Sequence, residues 1–177
     1  MPVLQTGLAK SAAADYTIDQ SLRFDRGGSP TLTKTFGSAG DRKTYTWSGW
    51  VKLGSNFSTN RYIFAANAHY DALLVGSDQE LYFTQNDGSE SVIRSENRLR
   101  DPSAWYHILV AVDTTVSSPS SDRIKLYING DRVTDFIQET YPSEDYEGNI
   151  NNAIAHTISG YPSSNYFDGY LAEVHFI

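Results

Sequence analysis

Residues 122–131 read Asp-Arg-Ile-Lys-Leu-Tyr-Ile-Asn-Gly-Asp. Ile124, Leu126 and Ile128 alternate with Arg123, Lys125 and Tyr127. Alternation with a period of two belongs to a strand with one buried face. Asn129-Gly130 follows at once, and Asn-Gly supplies the two positive-φ residues of a tight hairpin turn. The spacing therefore predicts a strand over 124–128, with Arg132-Val133-Thr134 running back beside it.

The same grammar extends outward in both directions. From Ser21 on, short apolar runs are cut by Gly, Pro, Asn, Asp and Ser. Leu22 and Phe24 alternate with Arg23 and Asp25, and Asp25-Arg-Gly-Gly-Ser-Pro30 breaks that strand. Thr31 to Phe36 forms the next. Thr44 to Lys52 is longer, with Tyr45, Trp47, Gly49 and Val51 on one face and Thr44, Thr46, Ser48, Trp50 and Lys52 on the other. Arg61–Ala65, Ala72–Val75, Leu81–Gln85 and Ser91–Ser95 read as a meander. Trp105 to Val112 is apolar on both faces apart from His107, which predicts a central strand covered on both sides. Ala153–Ser159 and Tyr170–Phe176 complete the set, and no segment sustains a period of 3.6. The pattern predicts an all-β, antiparallel two-sheet β-sandwich over residues 21–177.

Composition narrows the partners. The chain of 177 residues is long enough for one domain with a full core. Its 12 Tyr, 8 Phe and 3 Trp suit sheets and recognition surfaces better than helical bundles. Without cysteine, neither disulfides nor thiolate metal sites are available. A formal net charge of −7 disfavours nucleic acid and anionic membrane. No apolar run approaches the roughly 18 to 20 residues of a membrane span. The first residues lack the basic, apolar and cleavage regions of a signal peptide, so export by that route is not expected. Residues 1–20 are small and polar, and they are read as a flexible N-terminal arm: either a frayed terminus or an anchor that orders against a neighbouring subunit.

Five blocks stand in a specific order: Ser21-Leu-Arg-Phe24, Tyr45-Thr-Trp-Ser-Gly-Trp-Val-Lys52, Trp105-Tyr-His-Ile-Leu-Val-Ala-Val-Asp113, Ile124-Lys-Leu-Tyr-Ile-Asn-Gly130 and Phe167-Asp-Gly-Tyr-Leu-Ala-Glu-Val-His-Phe176. In that order they resemble the laminin G-like, concanavalin A-like jelly-roll family, especially the form found in bacteriophage virion proteins. The resemblance implies two antiparallel sheets, one concave, and binding of glycans or proteins. It further implies a setting at the virion surface, as a capsid decoration, head fibre or tail fibre protein made in the host cytoplasm. The implied partners are other virion subunits and host-surface glycan. Homo-oligomer formation is implied too, with a trimer favoured. Calcium held at a sheet rim by Asp side chains and carbonyls is a further family trait. Asp113, Asp122 and Asp131 offer hard oxygen ligands, but no contiguous Asp-rich loop is present and no ligand is assigned.

Fold does not fix function, and each candidate site is weighed on its own residues. A retaining glycoside hydrolase needs two carboxyls about 5 to 5.5 Å apart. On a strand that means acids at i and i+2. Glu144-Asp145-Tyr146-Glu147 places its first two acids side by side in a loop between Pro142 and Gly148, so it reads as a solvated acidic loop. Asp168 is isolated. Glu173-Val-His175 puts a carboxylate and an imidazole on one strand face, where a cross-strand hydrogen bond is the simpler reading than acid–base chemistry. His69, His107, His156 and His175 are scattered, no serine sits in Gly-x-Ser-x-Gly, and His107 reads as a satisfied core histidine. Gly27-Gly28 and Gly37-Ser-Ala-Gly40 read as turns. The expectation is a non-enzymatic domain.

Aromatic loops carry the clearest binding signal. Tyr141-Pro-Ser-Glu-Asp-Tyr146 and Tyr161-Pro-Ser-Ser-Asn-Tyr166 each set two tyrosines in a polar, Pro-containing loop, and Asn67-Ala-His-Tyr-Asp71 is similar. Sugar rings stack on aromatic faces while amides and carboxylates take the hydroxyls. Tyr70, Tyr141, Tyr146, Tyr161, Tyr166 and Asn165 are therefore the candidate ligand-binding residues, with shielding of the sandwich as the alternative. The functional reading is a displayed sandwich serving virion assembly or host attachment. The alternative is a carbohydrate-binding adhesin domain not tied to a virion.

Overall fold

The computed structural model describes residues 17–55, 58–66, 71–160 and 165–177. In chain order its strands are β1 (Leu22–Phe24), β2 (Leu32–Thr35), β3 (Thr44–Leu53), β4 (Arg61–Ala66), β5 (Asp71–Val75), β6 (Glu80–Gln85), β7 (Ser91–Arg98), β8 (Tyr106–Asp113), β9 (Ile124–Ile128), β10 (Asp131–Arg132), β11 (Phe136–Thr140), β12 (Ala155–Ile158) and β13 (Gly169–Phe176). They form a six-stranded sheet, β1-β13-β3-β8-β9-β10, and a seven-stranded sheet, β11-β7-β6-β5-β4-β12-β2, with every pair antiparallel. The expected all-β sandwich is the fold observed.

Strict alternation builds the core. Along β3, Tyr45, Trp47, Gly49, Val51 and Leu53 are buried, while the residues between them are half-buried or exposed. Ile108, Val110 and Val112 from β8 and Ile124 and Leu126 from β9 continue that inner face. Ile63, Leu73, Val75, Leu81, Phe83 and Ile93 meet it from the seven-stranded sheet. Each large side chain so buried contributes about 1.5 to 3 kcal/mol. Gly49 has a steric reason: a Cβ there would stand 3.0 Å from the Trp47 six-membered ring and 3.2 Å from Val174. The hairpin after β9 forms as read, with Asn129 at φ 54 and Gly130 at φ 87, and Asp131 paired with Ile128.

Three expectations need correction. β8 is not covered on both sides: Ile108, Val110 and Val112 are buried, whereas His107, Leu109 and Ala111 are only half-buried. The doubly buried strand is β5, whose five residues are all buried. Ala72 and Leu74 face away from the core and pack with Ala65 between Tyr62 and Tyr82. His107 is consequently not a core histidine. That part is played by His156, 3% exposed, among Phe36, Phe64 and Phe176. Finally, a β-bulge between Ala172 and His175, with Glu173 at φ 47, interrupts the alternation on which the Glu173–His175 pairing rested. The sequence reading also passed over β11, a mostly exposed edge strand of polar composition.

Candidate functional site

Residues paired across an antiparallel ladder share a face, so register determines what the outer side of the six-stranded sheet presents. Trp50 pairs with His107, Ser48 with Leu109 and Thr46 with Ala111 between β3 and β8. Leu109 then pairs with Tyr127 on β9, and Tyr170 on β13 pairs with Lys52. The result is a platform of Trp50, His107, Leu109, Ala111 and Tyr127 on one solvent-facing surface. The Trp50 and His107 rings meet edge-on at 5.1 Å and 61°. Trp105 meets Tyr170 at 6.4 Å and 64° beside them.

The Asn-Gly turn closes one end of this platform. The Asn129 N–H donates to the His107 carbonyl at 2.8 Å, and the His107 N–H donates to Asn129 Oδ1 at 2.9 Å. The side-chain oxygen thus completes a ladder that the backbone leaves off, and the Asn129 amide nitrogen stays available as a donor. Two shallow depressions of about 450 and 420 Å³ lie on the platform. Trp50, Trp105 and Asn129 line the first, Tyr127 and Leu109 the second, and His107 and Gly130 belong to both. Flat apolar rings beside imidazole, amide and phenol groups suit a ligand with one apolar and one hydroxyl-rich face.

The loop residues singled out from the sequence occupy other places. The Tyr141 ring packs against the main core, and its hydroxyl donates to Glu139 Oε2 at 3.0 Å. Burial first, then Glu139, pushes its pKa up to about 12. Tyr146 is half-buried, its pKa pushed up to about 12 by burial and then by Asp71 and Glu90. Tyr166 stands at the opposite end of β4, where a Cβ on Gly160 would lie 2.5 Å from its ring. Asn165 sits at φ 53, and its carbonyl accepts from the Tyr62 N–H at 3.1 Å. Tyr70 and Tyr161, like His69, lie outside the described residues. The structure does not bring Tyr141 and Tyr146 together with Tyr166.

The acidic loop is held by ion pairs. Arg42 Nη1 reaches Glu147 at 3.1 Å, Lys43 reaches Asp145 at 3.1 Å and Arg123 reaches Glu144 at 4.0 Å, so the three acids point to three different cations. Beneath it, the fully buried Asp71 carboxylate accepts from the Asn86 N–H at 3.0 Å, Asn149 Nδ2 at 3.1 Å and the Ile150 N–H at 3.3 Å, and also from the Asn149 N–H. That carboxylate fastens residues 149–150 to the start of β5. Of the Asp residues weighed for calcium, Asp113 Oδ1 accepts from the Thr115 N–H at 3.0 Å and its hydroxyl at 2.6 Å, and Asp122 pairs with Arg132 at 3.0 Å. Asp131 is exposed in β10. Among the described residues no group of three or more His, Asp or Glu side chains is arranged to hold a metal ion.

Similarity to known proteins agrees with this architecture. A laminin G-type family model described as the concanavalin A-like lectin/glucanases superfamily matches residues 26–177. No curated protein matches the chain in sequence. Among solved structures, the chain is similar to the native heptameric SAP-like pentraxin of Limulus polyphemus, at 15% identity over 88% of this chain and 74% of that one, with a TM-score of 0.60. It is also similar to the CBM40 of the Ruminococcus gnavus IT-sialidase bound to α2,3-sialyllactose, at 12% identity over 82% and 90% of the two chains, with a TM-score of 0.53. Mouse laminin α1 domains LG4-5 give 18% identity over 82% of this chain and 40% of theirs, with a TM-score of 0.51. At such identities the likeness establishes the fold.

Proposed function

Because the chain belongs to the concanavalin A-like lectin/glucanases superfamily, we propose that it is a non-catalytic binding module that captures carbohydrate on the outer face of its six-stranded sheet. One observation carries this reading: register places Trp50, His107 and Tyr127 on a single accessible surface, and Trp105 lines the same depression beside the Asn129 amide. Aromatic side chains on the outer face of a sheet offer flat surfaces on which a sugar's C–H face can stack while neighbouring polar groups take its hydroxyls. The solved sialyllactose complex of a CBM40 lends support through the shared sandwich.

A glycan array followed by titration of the best hit tests the reading. Trp50→Ala and Trp105→Ala should each weaken binding about tenfold or more, the worth of one lost stacking contact of about 1.4 kcal/mol. Absence of any bound glycan at millimolar concentration, or full affinity in both variants, would overturn it. Tyr146→Phe and Tyr166→Phe in the same titration decide whether the rim tyrosines add contacts. Incubation of the bound glycan with the protein should release no reducing ends.

The setting we propose for this activity is the surface of a phage particle, with the chain displayed as a homo-oligomer for assembly or host attachment. The order of the five sequence blocks supports it. Mass spectrometry of purified particles should find the chain in stoichiometric amount, and its confinement to the lysate would remove the setting while leaving the glycan reading intact.

A further inference from the structure

The sandwich is open along one side, away from the glycan platform. There, between β1 and β13 of one sheet and β2 and β12 of the other, runs an apolar cleft. Two cavities of about 320 and 230 Å³ form it and share Leu32, Ile158 and Val174. Phe24 and Leu171 line one end, Phe36 and Trp47 the other.

Three features point to an occupant. First, among the described residues β2 pairs only with β12 and all four of its residues are exposed, so its outer edge offers backbone groups for pairing. Second, Leu22 and Leu32 stand on the lips of the cleft at 59% and 48% exposure. Third, Trp47 is 2% exposed, and its indole Nε1 meets no acceptor among the described residues. A buried donor without an acceptor is costly, and a backbone carbonyl entering the cleft would relieve it.

The chain itself contains a segment suited to this place. Residues 1–16 lie outside the described residues. They carry Val3, Leu4 and Leu8, with Lys10 and Asp15 as the only charged side chains. They join the described chain at Thr17, just before Gln20 and Ser21, which line the mouth of the cleft. No turn or bend occurs from Thr17 to Ser21. Sixteen residues span about 50 Å when extended, enough to reach an adjacent copy.

We propose that residues 1–16 of one copy occupy the β1/β2 cleft of a second copy. The segment pairs its backbone with the free edge of β2 and inserts apolar side chains from Val3 to Leu8 between the lips. This is strand addition by exchange of an identical element between protomers. It is independent of the glycan reading, which concerns the opposite surface of the six-stranded sheet.

Light scattering of the full chain at tens of micromolar tests the exchange. The expected mass is an integer multiple of 19.7 kDa, falling to 19.7 kDa in Leu32→Glu and in the double variant Leu4→Glu/Leu8→Glu. The double variant lies outside the sandwich, so it carries the test if Leu32→Glu fails to fold. An excess of a synthetic peptide of residues 1–16 should likewise drive the full chain toward the single-chain mass. A full chain that is monomeric at this concentration overturns the proposal. An oligomer that survives the double variant with its mass unchanged also overturns it. In all cases glycan affinity per chain should be unaltered.

Discussion

The two outward faces of this sandwich are built on opposite terms. On the seven-stranded sheet, Ala65, Ala72 and Leu74 are 1% exposed or less even though they point away from the main core. On the six-stranded sheet, the equivalent positions of β8 hold His107, Leu109 and Ala111, and all are half-buried. On the first face Tyr62 and Tyr82 pack against Ala65, Ala72 and Leu74 and close it, whereas on the second Trp50, His107 and Tyr127 stay open to solvent. The closed face concentrates stability, because burial there removes apolar area from water outright. The open face spends little of the fold's stability and is free to vary in chemistry.

That contrast can be broken by substitution. The largest effect is expected from Leu74→Ala, which empties a site that is 1% exposed and should cost about 3 kcal/mol in denaturant unfolding. Asp71→Ala comes next. It removes the acceptor of the Asn86, Asn149 and Ile150 donors and should cost about 2 kcal/mol, with faster hydrogen exchange over residues 149–150. Leu109→Ala, the counterpart of Leu74 on the open face, should cost only about 1 kcal/mol. A cost equal to that of Leu74→Ala would erase the distinction between the faces. Trp50→Ala should move the unfolding midpoint least while weakening glycan binding most. Loss of stability without loss of binding would make the platform structural.

Acid sharpens the comparison further, because the buried histidine belongs to the seven-stranded sheet. Burial lowers the His156 pKa below its ordinary value of about 6.5, against the opposing effects of the Ile154 carbonyl and Asp71. Its Nδ1 lies 2.9 Å from the Ile154 carbonyl, and Nε2 accepts from the Asn151 N–H at 3.0 Å, so the ring is held neutral. The folded state therefore binds the proton less readily than the unfolded chain does. The stabilisation is full above about pH 6.5 and is lost as pH falls through the lowered folded value. Melting temperature should drop between pH 7 and pH 5, and the drop should shrink in His156→Gln. An unchanged drop in that variant would assign the acid sensitivity to other groups.

Much of the fold was legible because alternation and turn chemistry coincide. Thr44 to Lys52 announced both its faces correctly, and Asn129-Gly130 announced its hairpin. Coverage was not legible. Leu109 and Ala111 read as buried, yet nothing in a strand's own residues says whether another layer lies above it. β11 escaped notice because Gln138, Glu139 and Thr140 are exposed, and its pairing with β7 gives no apolar rhythm. The platform was missed for a different reason: it draws on Trp50, His107 and Tyr127 from three strands, and only cross-strand register unites them. One signal was present, the Trp50 indole on the polar side of an otherwise amphipathic strand. The acidic loop was read correctly as lying off the strands, but its ties to Arg42, Lys43 and Arg123 span long sequence separations that no local pattern encodes.

The bond from His107 to the Asn129 side chain sets a limit on how such a surface can be remodelled. The hairpin tip and the aromatic platform are joined through that bond, so inserting residues at the tip would detach the platform's edge. On the proposed glycan reading, new specificities on this scaffold would therefore arise by exchanging side chains on β3, β8 and β9 at constant chain length, and grafting a longer hairpin there is a poor route for engineering.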